Sequence, residues 1–386
     1  MEMLRQQATS IVEAQSPGIA QLQRATPGWV REAAERMAVL GTHEFFLAAL
    51  PLFFFVDEPS EVGLSIVSVL ALGVCGAASV KDAVCAPRPF GVTRKKSSTA
   101  QEFGLPSTHS CNAASVGVVL CVHFSEPLWL LYPLTMGLSR VVTGMHSWLD
   151  VGAGWLLGAA IAAAWVAVLP ATLTLLASND TLSILSLTAI VPLYLAMHPD
   201  PVAPCPCFDD AVAFVAVLAG VLVAFHWRTS VTTASDVVFE LPLDQQAVWW
   251  SVANTIAMIR RITVGAFAIY VFRKVTKTFL LYSLNTLFPS FSELAIIKKQ
   301  KLLANVSGNG MVNANGKGSS KVDSINANIT CNQYEKRDAN SLAPQNPPTF
   351  KIFRLTNKKV VDVIVYFGIA VIAVDSVPRL FYLLGI

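Results

Sequence analysis

Three short runs decide the reading of this chain: KDAVCAPRP at residues 81–89, PSTHS at 106–110 and SRVVTGMHSWLD at 139–150. Each sets ionisable or hydroxyl side chains among segments that are otherwise almost wholly apolar. Such residues are expensive in apolar surroundings and usually functional. The basic members are Lys81, Arg88 and Arg140; the hydroxyl members are Ser107, Thr108 and Ser139; His109, His146 and Asp150 complete the set.

The third run has the tightest spacing. His146 and Asp150 are four apart, so on a helix they share a face, with Cβ atoms roughly 5–6 Å apart. A carboxylate there accepts the Nδ1 proton, fixes the tautomer and leaves Nε2 as a directed lone pair. A histidine so held can be a nucleophile. Lys81, Arg88 and Arg140 suggest its electrophile, because the planar fork of an arginine matches phosphate oxygens bidentately. Ser107 and Ser139 add neutral donors. If Thr108 and His109 open a helix, their backbone N–H groups face an anion at its N-terminus. Together these donors suit the charge on a phosphoryl group in flight.

The implied reaction has two steps. His146 attacks phosphorus to give a phosphohistidine while His109 protonates the leaving alkoxide; His109 then activates the water that hydrolyses the intermediate. No metal and no other cofactor is expected, since the cationic side chains do what magnesium or zinc does elsewhere and no Cys/His or paired-carboxylate ligand pattern lies near them. Any one of these positions alone reads as readily as a packed pore-lining or helix-end residue. All of them at these spacings share one chemistry.

The runs resemble the three signature motifs of the type 2 phosphatidic acid phosphatase superfamily, whose site is similar to those of vanadium haloperoxidases and glucose-6-phosphatase. The resemblance implies that His146 is the nucleophile, Asp150 its partner and His109 the acid and base. Lys81, Arg88, Ser107, Thr108 and Arg140 match phosphate-binding positions. Thr108 stands where the family usually has glycine, a change that keeps the backbone N–H. Glu102-Phe103-Gly104-Leu105 before the second motif, the Lys81-Asp82 pair, Gly144-Met145-His146 with Leu149-Asp150, and upstream Gly41-Thr42-His43-Glu44-Phe45-Phe46 resemble the sphingosine-1-phosphate and long-chain-base-phosphate phosphatases. This closer likeness covers roughly residues 40–170.

Composition sets the surroundings. Hydrophobic residues make up 54% and charged residues 14%, with a mean hydropathy of +0.54; soluble domains carry about a quarter charged residues. This is the composition of an all-α, polytopic transmembrane bundle, and the resemblance implies a six-helix phosphatase core. The net charge of +3 is too small, and its basic residues too scattered, for a nucleic-acid partner. Membrane lipids and a lipid phosphate are the expected partners; the sequence leaves oligomeric state open. The seven cysteines form no zinc or disulfide framework, and Cys205-Pro206-Cys207 reads first as a surface loop, with metal binding or lipidation as alternatives.

Along the chain, residues 1–41 form a polar N-terminal segment without the apolar core of a signal peptide. Within it, 27–40 reads either as an interfacial amphipathic helix or as a packed cytosolic one. Residues 42–230 form the membrane-embedded phosphatase core, with spans near 43–57, 62–80, 109–124, 127–141, 147–169, 171–198 and 211–227. The small residues Gly152, Ala153, Gly154, Gly158 and Ala159 permit close helix approach. Residues 231–289 add one or two spans, interrupted by Arg260, Arg261, Arg273 and Lys274. Residues 290–358 are rich in Asn, Gly, Ser and Lys without periodicity and read as a disordered loop. Its two glycosylation sequons, at Asn305 and Asn328, disagree with the cytosolic side that Lys298, Lys299 and Lys301 favour. Residues 359–386 hold a last span.

The expected function is hydrolysis of a sphingoid long-chain base 1-phosphate by an integral membrane, metal-independent phosphatase. From the resemblance its site faces the lumen of the endoplasmic reticulum. The alternatives are a phosphatase of phosphatidate, a polyprenyl diphosphate or a sugar phosphate, an anion-binding transporter without turnover, and a catalytically dead lipid-binding relative.

Overall fold

The computed structural model describes residues 1–42, 61–93, 102–178, 181–202, 205–232, 252–287 and 356–385, and isolated helical positions between 45 and 55. Among them there is no strand. In chain order the helices are α1 (Glu2–Ala25), α2 (Gly28–Val39), α3 (Glu61–Val84), α4 (Thr108–Phe124), α5 (Leu131–Val142), α6 (Trp148–Ala177), α7 (Thr181–Met197), α8 (Cys207–Thr232), α9 (Val252–Leu287), α10 (Asn357–Val371) and α11 (Val377–Leu384). A π turn, Ile372–Ser376, joins the last two.

Among the described residues, five stretches are long and apolar enough to cross a membrane: Glu61–Val84, Trp148–Ala177, Cys207–Thr229, Thr255–Leu287 and Asn357–Leu384. All backbone polar groups can be satisfied inside a helix, which is why a bilayer admits this architecture. Helices α3 and α8 form the centre. Leu64, Val67 and Leu70 of α3 meet Phe214, Leu218 and Leu222 of α8 in one apolar core, and Val116 and Val119 of α4 join it. The flanking helices α6 and α9 keep most of their surface uncovered, with Leu156, Phe267 and Phe279 among the exposed side chains. In lipid such faces need no covering.

The close contact of α4 with α6 depends on missing side chains. A Cβ on Gly158 would stand 2.1 Å from the carbonyl oxygen of Cys111, and one on Gly154 2.6 Å from that of Ser107. The backbones therefore approach closely, as small residues allow between membrane helices. This brings the start of α4, with His109, beside the start of α6.

Several boundaries differ from those read in the sequence. The span expected at 147–169 runs on through Pro170 to Ala177, so the next helix begins only at Thr181. The stretch near 247–289 is one helix, Val252–Leu287. Arg261 on it is buried and lies over the Phe381 ring, 5.9 Å from its centroid, while Lys277 pairs with Asp362 at 2.7 Å. Arg261 thus sits in an apolar pattern without breaking it, whereas Arg260, Arg273 and Lys274 lie on the exposed side of the helix. Cys205 and Cys207 are joined as a disulfide and Cys207 is buried, so this short run is not a simple surface loop. The Asn-rich tract expected to be disordered, 290–358, lies outside the described residues up to 355.

The N-terminal segment is more ordered than its polarity suggests. Helix α1 buries Val12, Ser16, Ile19 and Gln23 on one face. Its Gln15 side chain accepts from Leu149 N–H at 3.2 Å, and Ser16 Oγ accepts from Phe90 N–H at 2.9 Å. Helix α2 buries no residue and leaves Trp29 74% exposed.

Candidate active site

Each motif is delivered by a helix end. Lys81 occupies the last turn of α3, and the chain then turns through Cys85 to bring Arg88 back over the same end. Ser107 is the N-cap of α4, where its Oγ accepts from Ser110 N–H at 3.3 Å. Ser107 N–H donates to the Asp150 carbonyl at 2.9 Å, which ties the second motif to the third. Arg140 ends α5. A left-handed turn at Gly144, φ +68°, then reverses the chain towards α6; glycine adopts that conformation without the strain a Cβ brings.

His146 does not lie on a helix with Asp150, as the spacing of four suggested. It precedes the N-cap Ser147 of α6. Ser147 Oγ accepts from Asp150 N–H at 3.2 Å and Asp150 Oδ2 accepts from Ser147 N–H at 2.8 Å, a reciprocal capping box. The same Oδ2 is 3.4 Å from His146 Nδ1. The contact survives the different backbone because a carboxylate at the third helical position reaches back over the cap.

The other imidazole nitrogen has a partner that defines its state. Arg88 Nη1 lies 3.1 Å from His146 Nε2 and also donates to the Met145 carbonyl at 2.6 Å. An arginine donates and cannot accept. Nε2 therefore carries the lone pair and Nδ1 the proton, facing Asp150. Burial, followed by the charges of Arg88, Arg140 and Lys81 and by His109, holds His146 well below the usual imidazole value and so in its neutral form.

Lys81, Arg88, Thr108, His109, Arg140 and His146 line one cavity of about 50 Å³, room for a few waters at ~10–15 Å³ each or one tetrahedral anion. The edge of the His109 ring packs on Gly41, where a Cβ would be 2.5 Å from Cδ2. Ser107 and Ser139 do not line the cavity. Ser107 Oγ is occupied at the start of α4, receiving also the Ser110 hydroxyl at 2.9 Å, and Ser139 Oγ donates to the Met136 carbonyl at 2.7 Å.

Three further features were not assigned from sequence. Glu102 lines the cavity and forms a buried ion pair with Lys81, its Oε2 also 4.0 Å from Arg88 Nη2. Burial pushes its carboxyl up, but Lys81 and then Arg88 outweigh this and hold it below the ordinary glutamate value. Thr42, Asn112 and Asp210 add to the polar lining. Behind Lys81, Asp82 Oδ2 accepts from His198 Nε2 at 2.9 Å, and His198 Nδ1 is 2.9 Å from the Tyr194 hydroxyl. This ties the end of α7 to the residue next to Lys81. Asp82, Cys205 and Cys207 are the metal-competent grouping found among the described residues, but the disulfide occupies both sulfurs.

Residues 62–173, from the start of α3 into α6, match the family model described as PAP2 superfamily. The chain carries a PAP2 superfamily domain. That stretch contains all nine residues assigned from the motifs. The chain is similar to a dihydrosphingosine 1-phosphate phosphatase of Schizosaccharomyces pombe, 32% identical over 48% of this chain and 49% of that protein. A dihydrosphingosine 1-phosphate phosphatase of Saccharomyces cerevisiae is 29% identical over 58% of this chain and 60% of its own length. Mouse sphingosine-1-phosphate phosphatase 2 is 27% identical over 66% and 74% respectively. The chain thus spans about half the length of the first of these relatives. No solved structure matches the chain significantly. The PAP2 domain and the apolar helices make this an integral membrane protein.

Proposed function

We propose that this PAP2 protein is a lipid phosphate phosphatase whose substrate is a sphingoid long-chain base 1-phosphate. The observation that carries the chemistry is the neutral His146, with Nδ1 towards Asp150 and Nε2 among Arg88, Arg140 and Lys81 in one cavity. That arrangement presents a lone pair where three cations gather a phosphate. His146 attacks phosphorus and Asp150 stabilises the imidazolium that results. His109 protonates the departing alkoxide and then takes a proton from the hydrolytic water. Lys81, Arg88, Arg140 and the backbone N–H at Thr108 spread the phosphoryl charge. These cations make a metal unnecessary to the mechanism.

The substrate class rests on the relatives, which are named for sphingoid base phosphates, and on the site's position at helix ends, where a phosphate can enter while its tail stays among apolar helices. The resemblance of the motifs to the sphingoid base phosphate phosphatases supports a site that faces the lumen of the endoplasmic reticulum. The test is phosphate release by detergent-purified protein offered sphingosine 1-phosphate and phosphatidate in parallel, with EDTA present and His146→Ala as control. Release from the sphingoid substrate alone, lost in the variant, supports the reading. Equal release from both removes the substrate class but keeps the chemistry, and no release from either by folded protein moves anion binding without turnover to the front.

A further inference from the structure

The phosphate cavity contains a carboxylate that the reaction does not use. Glu102 is 8% exposed, and its side chain lies against Lys81 and near Arg88, two of the three cations that gather the phosphate. Its place is fixed from the backbone: Arg88 Nε donates to the Glu102 carbonyl at 2.8 Å, and Gly104 N–H donates to the Ala86 carbonyl at 2.8 Å. A fixed anion here opposes phosphate binding, because like charges in a poorly screened site repel strongly. The lowered pKa of Glu102, held down by Lys81 and Arg88, keeps that opposing charge in place at neutral pH. A carboxylate so placed is useful when the ligand brings its own cation beside its phosphate.

A sphingoid base 1-phosphate does so. Its primary ammonium sits on the carbon next to the one that bears the phosphate ester, whereas phosphatidate carries an acyl ester there and ceramide 1-phosphate a neutral amide. We propose that Glu102 is the ammonium subsite of this cavity: when the phosphate takes Lys81 and Arg88, the Glu102 carboxylate turns to accept hydrogen bonds from the substrate's ammonium. The same residue that weakens binding of a bare phosphate then selects the aminoalkyl phosphate, so specificity comes from a repulsive element as well as an attractive one. Asp210, the other carboxylate lining the cavity, sits in the first turn of α8 and is the rival partner. Glu102 is favoured because it touches the phosphate-gathering cations directly.

This inference rests on the sphingoid reading above, and the experiment separates the two. The rate constant kcat/KM is measured for sphingosine 1-phosphate and ceramide 1-phosphate with the wild type, Glu102→Gln, Glu102→Asp and Asp210→Asn. Glu102→Gln lowers the preference for sphingosine 1-phosphate by about tenfold to a hundredfold, the loss of one charge-assisted hydrogen bond, and leaves ceramide 1-phosphate turnover equal or faster. Glu102→Asp retains part of the preference, and Asp210→Asn retains all of it. An equal loss on both substrates would show that Glu102 only positions Lys81 and would overturn the subsite, as would a preference that moves with Asp210 instead. A wild type that prefers neither lipid contradicts the proposed substrate itself. Should Glu102→Gln not accumulate, inhibition of the wild type and of Glu102→Asp by phosphoethanolamine and by ethyl phosphate decides the matter: the aminoalkyl phosphate inhibits more strongly, by a margin that narrows in Glu102→Asp, and equal inhibition of the wild type by the two overturns the proposal.

Discussion

Arg88 Nη1 and His146 Nε2 face each other at 3.1 Å, and the same nitrogen of Arg88 donates to the carbonyl of Met145. Because the guanidinium only donates, this contact holds the imidazole neutral with its lone pair turned into the cation cluster. Arg88 thus sets the state of the nucleophile as well as gathering the phosphate. Lysine at this position has one terminal nitrogen and cannot hold the Glu102 carbonyl, the Met145 carbonyl and the His146 ring together. Arg88→Lys is expected to lower kcat by about 10²–10³, the usual effect of removing one oriented donor, with the charge retained. Steady-state kinetics in the presence of EDTA check this; full activity would reduce Arg88 to a source of charge.

Asp150 has two tasks, capping α6 through Ser147 and facing His146 Nδ1. Asparagine can still accept from Ser147 N–H with the same oxygen that faces Nδ1, but it carries no charge to stabilise the imidazolium that attack on phosphorus creates. Asp150→Asn should keep the melting temperature within a few degrees while kcat falls by about 10³–10⁴, the size of the effect in serine-protease triads. Parallel thermal and kinetic measurements separate the tasks, and a variant that melts early but turns over normally would assign Asp150 to the cap alone.

Gln23 joins the segment after the first motif to the third motif from outside. Its Nε2 donates to the carbonyls of Thr93 at 2.9 Å and Val142 at 3.2 Å, and its Oε1 accepts from Thr93 N–H at 3.0 Å. It lies against the Gly144 turn that precedes His146. Gln23→Ala removes three hydrogen bonds to partly buried backbone groups and should cost about 1–3 kcal/mol, with kcat lowered more than KM is raised. Thermal unfolding and kinetics of the full chain test this; unchanged values for both would make α1 a passenger.

Glu102 links pH to stability. Its folded pKa is below the ordinary glutamate value, so its contribution is present above the unfolded pKa near 4.5 and is lost as pH falls through the lower folded pKa. The difference in melting temperature between wild type and Glu102→Gln should therefore hold at pH 5 and above and shrink on further acidification. A difference that grows with acid would mean Glu102 is protonated in the folded protein.

The helix contact that assembles the site can be tested apart from the chemistry. Alanine at Gly158 would press its Cβ into the Cys111 carbonyl, so α6 must move off α4. Gly158→Ala should destabilise by about 1–3 kcal/mol, as overpacking does, seen as a lower melting temperature in detergent.

The motif residues were legible because ionisable groups stand out against apolar helices and their spacing is short. Lys81, Arg88, Thr108, His109, Arg140 and His146 are brought to one cavity, with Asp150 behind His146. Ser107 and Ser139 fared differently: a hydroxyl in a motif reads alike whether it faces a ligand or closes a local hydrogen bond, and here both close local bonds. The helical register of His146 was missed because a capping carboxylate gives the same spacing as one helix face. His198 was not legible at all, since its partner Asp82 lies 116 residues earlier. Helix α1 was hidden by its polarity, because its apolar stripe is only Ala8, Val12 and Ile19 and the rest of its contact with the catalytic loops is made by Gln15, Ser16 and Gln23.

Attack of His146 on phosphorus is the step on which the proposed reaction depends. It is tested most directly by rapid acid-free quenching of the purified enzyme during turnover of sphingosine 1-phosphate labelled in its phosphate, followed by mapping of the labelled peptide. The expected result is an acid-labile phosphoryl group on His146, which builds up in His109→Gln when a labelled aryl phosphate, whose phenolate leaves without being protonated, replaces the lipid. Label on any other residue would contradict it.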